Sequence, residues 1–304
     1  MPVTHYCEIQ TTIWNTDGNM KILITGAGGQ LAGEFRHLLE HYPYTIVALD
    51  RAMLDIADED RVRGVLLDHA PDIVLNCAAY NLVDKAEEDY DSAFNVNAVG
   101  VRNLSRACSR INALLIHYSS DYVFDGSKQD FYTEEDGTTP VNKYGESKLA
   151  GELFLKEETD NFLLFRVSWV FGKGQQNFLY KVREWARHKN PLRIACDQVS
   201  VPTCTRDIAH LTMFAINRGL RGTYHLTNGG YASRYEVARF FLEKMGMDNL
   251  ILPVGSDYFR SAAQRPSFSA MSNRKLSQAL DVQIPDWKIG VASLAEFLLA
   301  QEEV

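Results

Sequence analysis

The stretch that most limits what this chain can become is Lys21-Ile22-Leu23-Ile24-Thr25 followed at once by Gly26-Ala27-Gly28-Gly29-Gln30-Leu31-Ala32-Gly33. Residues 20–25 read as a short buried strand, and an apolar-periodic run through about Leu39 reads as a helix. Strand, glycine turn and helix open a parallel α/β unit. Gly26 permits the tight turn. Gly29 lets a diphosphate approach backbone N–H groups at a helix N-terminus, where the dipole favours anions. A glycine-rich turn alone is often only a loop, but here both flanks supply the context that a phosphate site requires.

The alternation continues. Thr45-Ile46-Val47-Ala48-Leu49 is a second strand ending at Asp50, about 20 residues past the glycines, where a carboxylate can accept from ribose hydroxyls. A strand-end carboxylate in solvent is the plainer alternative, and the adjacent Arg51 could hold a 2′-phosphate instead. Leu54-Asp55-Ile56 and a helix over 59–68 follow. A third strand, 72–76, runs into Cys77-Ala78-Ala79-Tyr80. Small residues there leave room for a flat ligand, though helix–sheet packing explains them as well. A helix over 89–110 carries Asn97, either a buried bonded amide or part of a proton relay.

A fourth strand, 113–118, delivers Ser119-Ser120-Asp121-Tyr122. Ligands of open α/β sheets sit beyond the carboxyl ends of the strands, where Ser120 falls. Taken alone, such a serine would cap a turn. Downstream lies Tyr144-Gly145-Glu146-Ser147-Lys148. On a helix, Tyr144 and Lys148 stand one above the other, roughly 6 Å apart along the axis. An ammonium beside a phenol favours phenolate and eases release of its proton. That spacing also fits a solvated helix face, and it gains meaning from Ser120 and the glycine turn. The three predict a nicotinamide-dependent carbonyl reductase with Ser120, Tyr144 and Lys148 as catalytic groups.

Residues 127–140 suit a loop beside the substrate. A fifth strand, 162–167, leads to Ser168-Trp169, an aromatic at the same rim that could be core or could stack on a base or sugar. Helices near 176–188, 205–218, 234–246 and 289–301 and strands near 192–195 and 222–226 follow without a linker. The fold expected is therefore α/β: a Rossmann-type doubly wound parallel sheet over residues 20–170, and a smaller, closely packed substrate region over 171–304, partly interleaved with it. Residues 1–19 are expected to be a loosely ordered extension and not a signal peptide. Arg193, Arg206 and Arg265 are cations available to an anionic substrate.

The formal charge of −8 and the lack of any Lys/Arg run argue against nucleic acid as a partner. No apolar stretch approaches a membrane span. Five cysteines without a Cys-x-x-Cys pair suit reduced thiols in the cytoplasm. Eight scattered histidines show no metal-ligand spacing, so no catalytic metal is expected.

These residues together resemble the extended short-chain dehydrogenase/reductases, through Gly26-x-x-Gly29-x-x-Ala32 and the Tyr144/Lys148 pair. Within them the chain is similar to the dTDP-4-dehydrorhamnose reductase family from Met20 to the C-terminal helix. That likeness is carried by residues 76–87, by Ser119-Ser120-Asp121-Tyr122-Val123-Phe124-Asp125-Gly126, by residues 166–172, and by Asp197-Gln198 with Pro202-Thr203.

The resemblance implies NADPH or NADH as cofactor, held by Gly26, Gly29, Gln30 and Leu31 at the diphosphate. Asp50, Asp55 and Ile56 would lie at the adenosine side, with Ala78, Ala79 and Tyr80 nearer the middle and Tyr144 and Lys148 at the active site. Ser120, Asp121 and Trp169 would meet a nucleotide sugar, most directly dTDP-4-dehydro-L-rhamnose reduced to dTDP-L-rhamnose for surface polysaccharide. Some relatives are Mg²⁺-linked dimers, which extends the expectation to a homodimer and an Mg²⁺ ion without assigning ligands. Three departures stand out: Ser120 where Thr is frequent, Ala32 at the third glycine, and Gln264 before Arg265-Pro266 where Arg is common. Another sugar-nucleotide reductase or epimerase, or a cofactor-binding regulatory subunit like the methionine adenosyltransferase beta subunit, are the alternatives.

Overall fold

The computed structural model describes residues 20–302, so the expected extension over 1–19 lies outside the described residues. The first half of the chain contributes β1 (Lys21–Thr25), α1 (Gln30–Leu39), β2 (Thr45–Leu49), α2 (Glu59–His69) and β3 (Ile73–Asn76). Two short helices, α3 (Lys85–Glu88) and α4 (Tyr90–Phe94), lead through a π-helical segment (Asn95–Val99) into α5 (Gly100–Ile111). Then come β4 (Leu114–Ser120), α6 (Lys143–Glu158), β5 (Phe162–Val167) and β6 (Val170–Phe171). The second half holds α7 (Phe178–His188), β7 (Leu192–Ala195), β8 (Val199–Ser200), β9 (Thr203–Cys204), α8 (Thr205–Asn217) and β10 (Gly222–His225). It ends with β11 (Ala232–Ser233), α9 (Arg234–Lys244), β12 (Ile251–Val254), α10 (Arg274–Leu280) and α11 (Trp287–Glu302).

Six strands form one parallel sheet in the order β10-β5-β4-β3-β1-β2. Every residue of β4 and β5 is buried, as expected of strands with helices over both faces. On one face Ile22 and Ile24 pack with Phe35 and Leu39 of α1 and with Leu211 and Phe214 of α8. On the other, Leu23, Val74 and Leu115 meet Val62 and Leu66 of α2, Leu104 of α5 and Leu155 of α6. Each such side chain removed from water contributes roughly 1.5–3 kcal/mol. From β1 the chain adds β2 on one side and then β3 on the other, and this switch in strand order opens a crevice at the carboxyl ends of β1 and β3.

A second core joins Val182 of α7, Ile194 of β7, Val237 and Phe241 of α9, and Trp287 and Leu294 of α11. Beneath it β7 and β12 pair in parallel, Leu192 opposite Ile251. The chain does not stay in this lobe. After β9 it returns to the main sheet, where β10 pairs with β5.

The structure departs from the sequence reading in three places. The single helix expected over 89–110 is broken by the π-helical turn. Asn97 holds that widened turn, since its amide bonds both backbone groups of Tyr80 and the Ser147 hydroxyl. Strands β6, β8, β9, β11 and β12 and helix α10 were not anticipated, because two- to four-residue strands carry too little periodicity. Residues 127–140, expected beside the substrate, contribute nothing to the lining of the cavity described below: Tyr132 N donates to the carbonyl of Ala270, and Lys128 pairs with Asp136 at 2.7 Å.

Candidate active site

The glycine turn sits at the mouth of the crevice. Gly26 has φ of +66°, and a Cβ there would lie 2.7 Å from the backbone nitrogen of Ala78, so the turn is pressed against the end of β3. Gly29 N–H closes the turn on Gly26 O at 2.9 Å. Gly29 then caps α1 with no side-chain acceptor, which leaves the first-turn N–H groups available to an anion. A cavity of about 730 Å³ opens here, lined among others by Gly28, Gly29, Gln30, Leu31, Ala78 and Ala79. Its far wall carries Ser120, Asp121, Tyr144, Lys148 and Trp169.

Helix α6 places the pair at its start. Asn142 caps it by accepting from Gly145 N at 2.8 Å, and its own amide donates to Gln264 O at 2.7 Å. A Cβ on Gly145 would fall 2.2 Å from Tyr122 O, so this glycine lets the helix lie close against the loop after β4. Tyr144 is thereby buried edge-on to Tyr122, ring centroids 5.7 Å apart, and lines the same cavity as Ser120. The Ser120 hydroxyl donates to Asp121 Oδ1 at 3.0 Å and accepts from Tyr122 N. Asp121 is buried as well, its other oxygen accepting from Ser200 at 2.9 Å and Ser269 at 2.6 Å.

The electrostatics differ from the expectation of a phenol tuned downward by its lysine. Burial pushes Tyr144 well above its ordinary range, and the Asp121 carboxylate adds to the shift. Lys148 donates not to Tyr144 but to the carbonyl of Tyr118, at 2.6 Å. Burial pushes its ammonium down to about 8, with Glu152 opposing. At neutral pH the site therefore holds a protonated phenol and a cation of reduced proton affinity.

Beneath this, a polar row crosses the sheet. Thr25, Asn76 and His117 stand opposite one another, Thr25 Oγ1 donating to Asn76 Oδ1 and Asn76 Nδ2 to His117 Nδ1. Burial, and then Lys148, hold His117 neutral. One turn beyond Lys148, Glu152 accepts from Arg166 at 2.9 and 2.8 Å, a bidentate pair with neither side chain more than 4% exposed. Asn97 is a buried, bonded amide with both ends occupied, its Nδ2 donating to Tyr80 O and Ser147 Oγ and its Oδ1 accepting from Tyr80 N.

Other expected residues stand outside the cavity lining. Gly26 shapes the turn without lining it. Asp50 accepts from Met53 N, and Asp55 accepts from Ala57 N and faces Arg51 at 3.7 Å. Ile56 is 2% exposed, with its carbonyl bonded to Asn103, so its side chain belongs to the core. Tyr80 is clamped by Asn97 and packs on the Tyr122/Tyr144 cluster. Of the arginines singled out, Arg265 is bound bidentate by Asp84, Arg206 reaches Ser293, and Arg193 lies over Tyr258.

Trp169 does line the cavity, with φ of +41°, a strained backbone for a bulky side chain. Sequence reasoning missed Asn177 and Arg234, which line it too. Gln30 reaches across to Val170 O at 3.2 Å, joining the glycine turn to the second lobe. Among the described residues no group of three or more His, Cys, Asp or Glu could hold a metal ion, and no helix is long and apolar enough to cross a membrane.

The site thus joins an anion cradle, room for a flat ring over Ala78 and Ala79, and a hydroxyl pair beside a buried cation. The set fits a dinucleotide lying across the crevice and a carbonyl held against Ser120 and Tyr144. Comparison with known proteins agrees. The model of the RmlD substrate binding domain matches residues 20–299. A dTDP-4-dehydrorhamnose reductase of Burkholderia thailandensis is 36% identical over 93% of this chain and 100% of its own length. The spore coat polysaccharide biosynthesis protein SpsK of Bacillus subtilis is 36% identical over 85% and 91%. The crystal structure of a dTDP-4-dehydrorhamnose reductase from Bacillus anthracis in complex with NADP superposes with a TM-score of 0.88 at 34% identity, covering 91% of this chain and 98% of that one.

Proposed function

The chain belongs to the RmlD substrate binding domain family of NAD(P)-dependent dTDP-sugar reductases, and on that footing we propose that it reduces the 4-keto group of dTDP-4-dehydro-L-rhamnose to give dTDP-L-rhamnose. The observation that carries this reading is the meeting of Ser120, Tyr144 and Lys148 on the cavity into which the glycine turn opens. NADPH is the proposed cofactor: the Bacillus anthracis relative holds NADP, and Arg51 here stands with its side chain 82% exposed beside Asp50.

Gly29, Gln30 and Leu31 would hold the cofactor diphosphate on the turn that Gly26 shapes. Asp50, Asp55 and the backbone of Ile56 would lie at the adenosine end, and Ala78, Ala79 and the Tyr80 backbone under the middle. Ser120, Asp121 and Trp169 would border the nucleotide sugar. When bound, the cofactor supplies the hydride. Tyr144, kept protonated by burial, gives its proton to the developing alkoxide, and Ser120, turning its one proton from Asp121 Oδ1, donates to the same oxygen. Lys148 brings positive charge to the site and positions the nicotinamide ribose. The division proposed is a cofactor part over about 20–170, joined by the returning α8 and β10, with the remainder of 171–304 holding the sugar nucleotide.

The test is NADPH consumption with dTDP-4-dehydro-L-rhamnose and identification of the product, run beside GDP- and UDP-keto-sugars. Preference for another keto-sugar would move the substrate. Cofactor binding with no oxidation by any of them would remove the enzyme reading in favour of a regulatory subunit.

A further inference from the structure

One cation in the cavity wall has no role in the mechanism above. Arg234 opens α9, its guanidinium lying 4.3 Å over the ring of Trp169 and 5.1 Å from that of Phe178. Its Nε donates to Gln198 Oε1 at 3.3 Å. Among the described residues it forms no salt bridge. The nearest acid along the helix, Glu236, is committed to the N-cap, accepting from Ser233 N at 2.7 Å and Ser233 Oγ at 2.8 Å. Asp121, in the same cavity, is committed to its three serines.

This placement is locally unfavourable. A cation on the first turn of a helix meets the positive end of the dipole. The indole beneath it is held on a strained backbone. A half-buried guanidinium without a carboxylate, stacked on an aromatic at a cavity wall, is an arrangement completed by an anionic ligand. The contrast with Arg265 is direct, since that guanidinium is filled by Asp84. Arg234 stands on α9 of the second lobe, the region proposed to hold the sugar nucleotide, whereas the glycine turn opens from the main sheet.

We infer that Arg234, stacked on Trp169, receives the diphosphate of the nucleotide-sugar substrate, an inference that rests on the reading of the site as a sugar-nucleotide reductase. The dianion would neutralise the guanidinium, and the remote contact would orient the keto-sugar toward Ser120 and Tyr144.

The experiment measures binding of dTDP and of thymidine to the NADPH-loaded full chain by calorimetry, for wild type, Arg234→Gln and Arg234→Lys. The expected result is that Arg234→Gln weakens dTDP roughly 10- to 100-fold, with thymidine and NADPH affinity unchanged. Arg234→Lys, which keeps the charge but not the planar fork, should fall between. Should the Gln variant fail to bind NADPH, the Lys variant reads the same contact. Full dTDP affinity in either NADPH-competent variant overturns the inference. Reduction of the keto-sugar by wild type is assayed separately: its absence alongside Arg234-dependent dTDP binding would sink the proposed reaction and leave the diphosphate site standing.

Discussion

Lys148 Nζ lies 2.6 Å from the carbonyl oxygen of Tyr118, while Tyr144, one turn earlier on α6, packs edge-on against Tyr122. The ammonium is thus anchored to the backbone of β4 and stays separate from the phenol it was expected to tune. The anchor ties the start of α6 to the carboxyl end of the central strands, where Ser120 also stands. The two side chains proposed as catalytic have different surroundings, and their protonation should be separable.

That separation gives a pH signature. The Lys148 ammonium titrates near 8 in the folded chain against an ordinary value of 10.5. Turnover that needs the cation should decline above about pH 8. Stability should run the other way: between the two values the unfolded chain binds the extra proton, so this group's contribution to folding rises with pH. Profiles of kcat/KM and of urea midpoint from pH 7 to 10 should show opposite slopes. In Lys148→Met the residual activity should lose that alkaline limb, and a limb persisting unchanged would assign it to another group.

Tyr144→Phe should cost roughly 10²–10⁴ in kcat, the usual worth of a positioned acid. The phenyl ring keeps the edge contact with Tyr122, so folding and NADPH affinity should hold. Single-turnover kinetics with a parallel NADPH titration checks both. Wild-type turnover in this variant would remove Tyr144 from the chemistry.

The main sheet was legible because each of its first five strands is a run of apolar residues bounded by turn or helix signals. The glycine turn was legible because its geometry is local: residues 26–33 make the tight turn and the uncapped helix start between them. Ser120, Tyr144 and Lys148 were found from strand-end position and helical spacing, both of which survive projection onto one dimension. Arg234 was not, since its meaning depends on Trp169 and on the absence of a carboxylate partner, 65 positions of chain folding back between them. The electrostatics were also out of reach. Spacing put Lys148 beside Tyr144, but only the packing shows that burial outweighs the neighbouring charge for both.

Gly26 and Gly28, on either side of Ala27, should respond differently to the same methyl group. At Gly26 a Cβ would overlap Ala78 N at 2.7 Å with φ at +66°. Gly26→Ala should therefore lose roughly 1–3 kcal/mol from overpacking and about 1–2 kcal/mol from the left-handed backbone. At Gly28 an added Cβ meets nothing within 4 Å. Gly28→Ala should unfold like wild type in urea yet bind NADPH more weakly, because that position lines the cavity. Equal unfolding midpoints for the two variants would contradict the packing at Gly26.

The last prediction concerns the support behind the site. Glu152 is fully buried and bound bidentate by Arg166, with Lys156 Nζ at 3.6 Å and Lys148 one turn away. Burial alone would raise its pKa, but the Arg166 guanidinium outweighs it and holds the carboxyl below its ordinary 4.5. A carboxylate depressed on folding contributes stability that is present above the unfolded value and lost as pH falls through the folded one. Glu152→Gln leaves Arg166 buried without its counter-charge, which should cost roughly 3–5 kcal/mol at pH 7. It should also move the alkaline limb of activity to lower pH, because Glu152 is what raises Lys148 against burial. Pairing it with Arg166→Met removes the stranded charge, so the double variant should recover much of the stability while keeping the shifted limb. Urea unfolding at pH 7, read beside the pH–rate profile, separates the two effects. A double variant no more stable than Glu152→Gln would mean that the pair is not what supports α6.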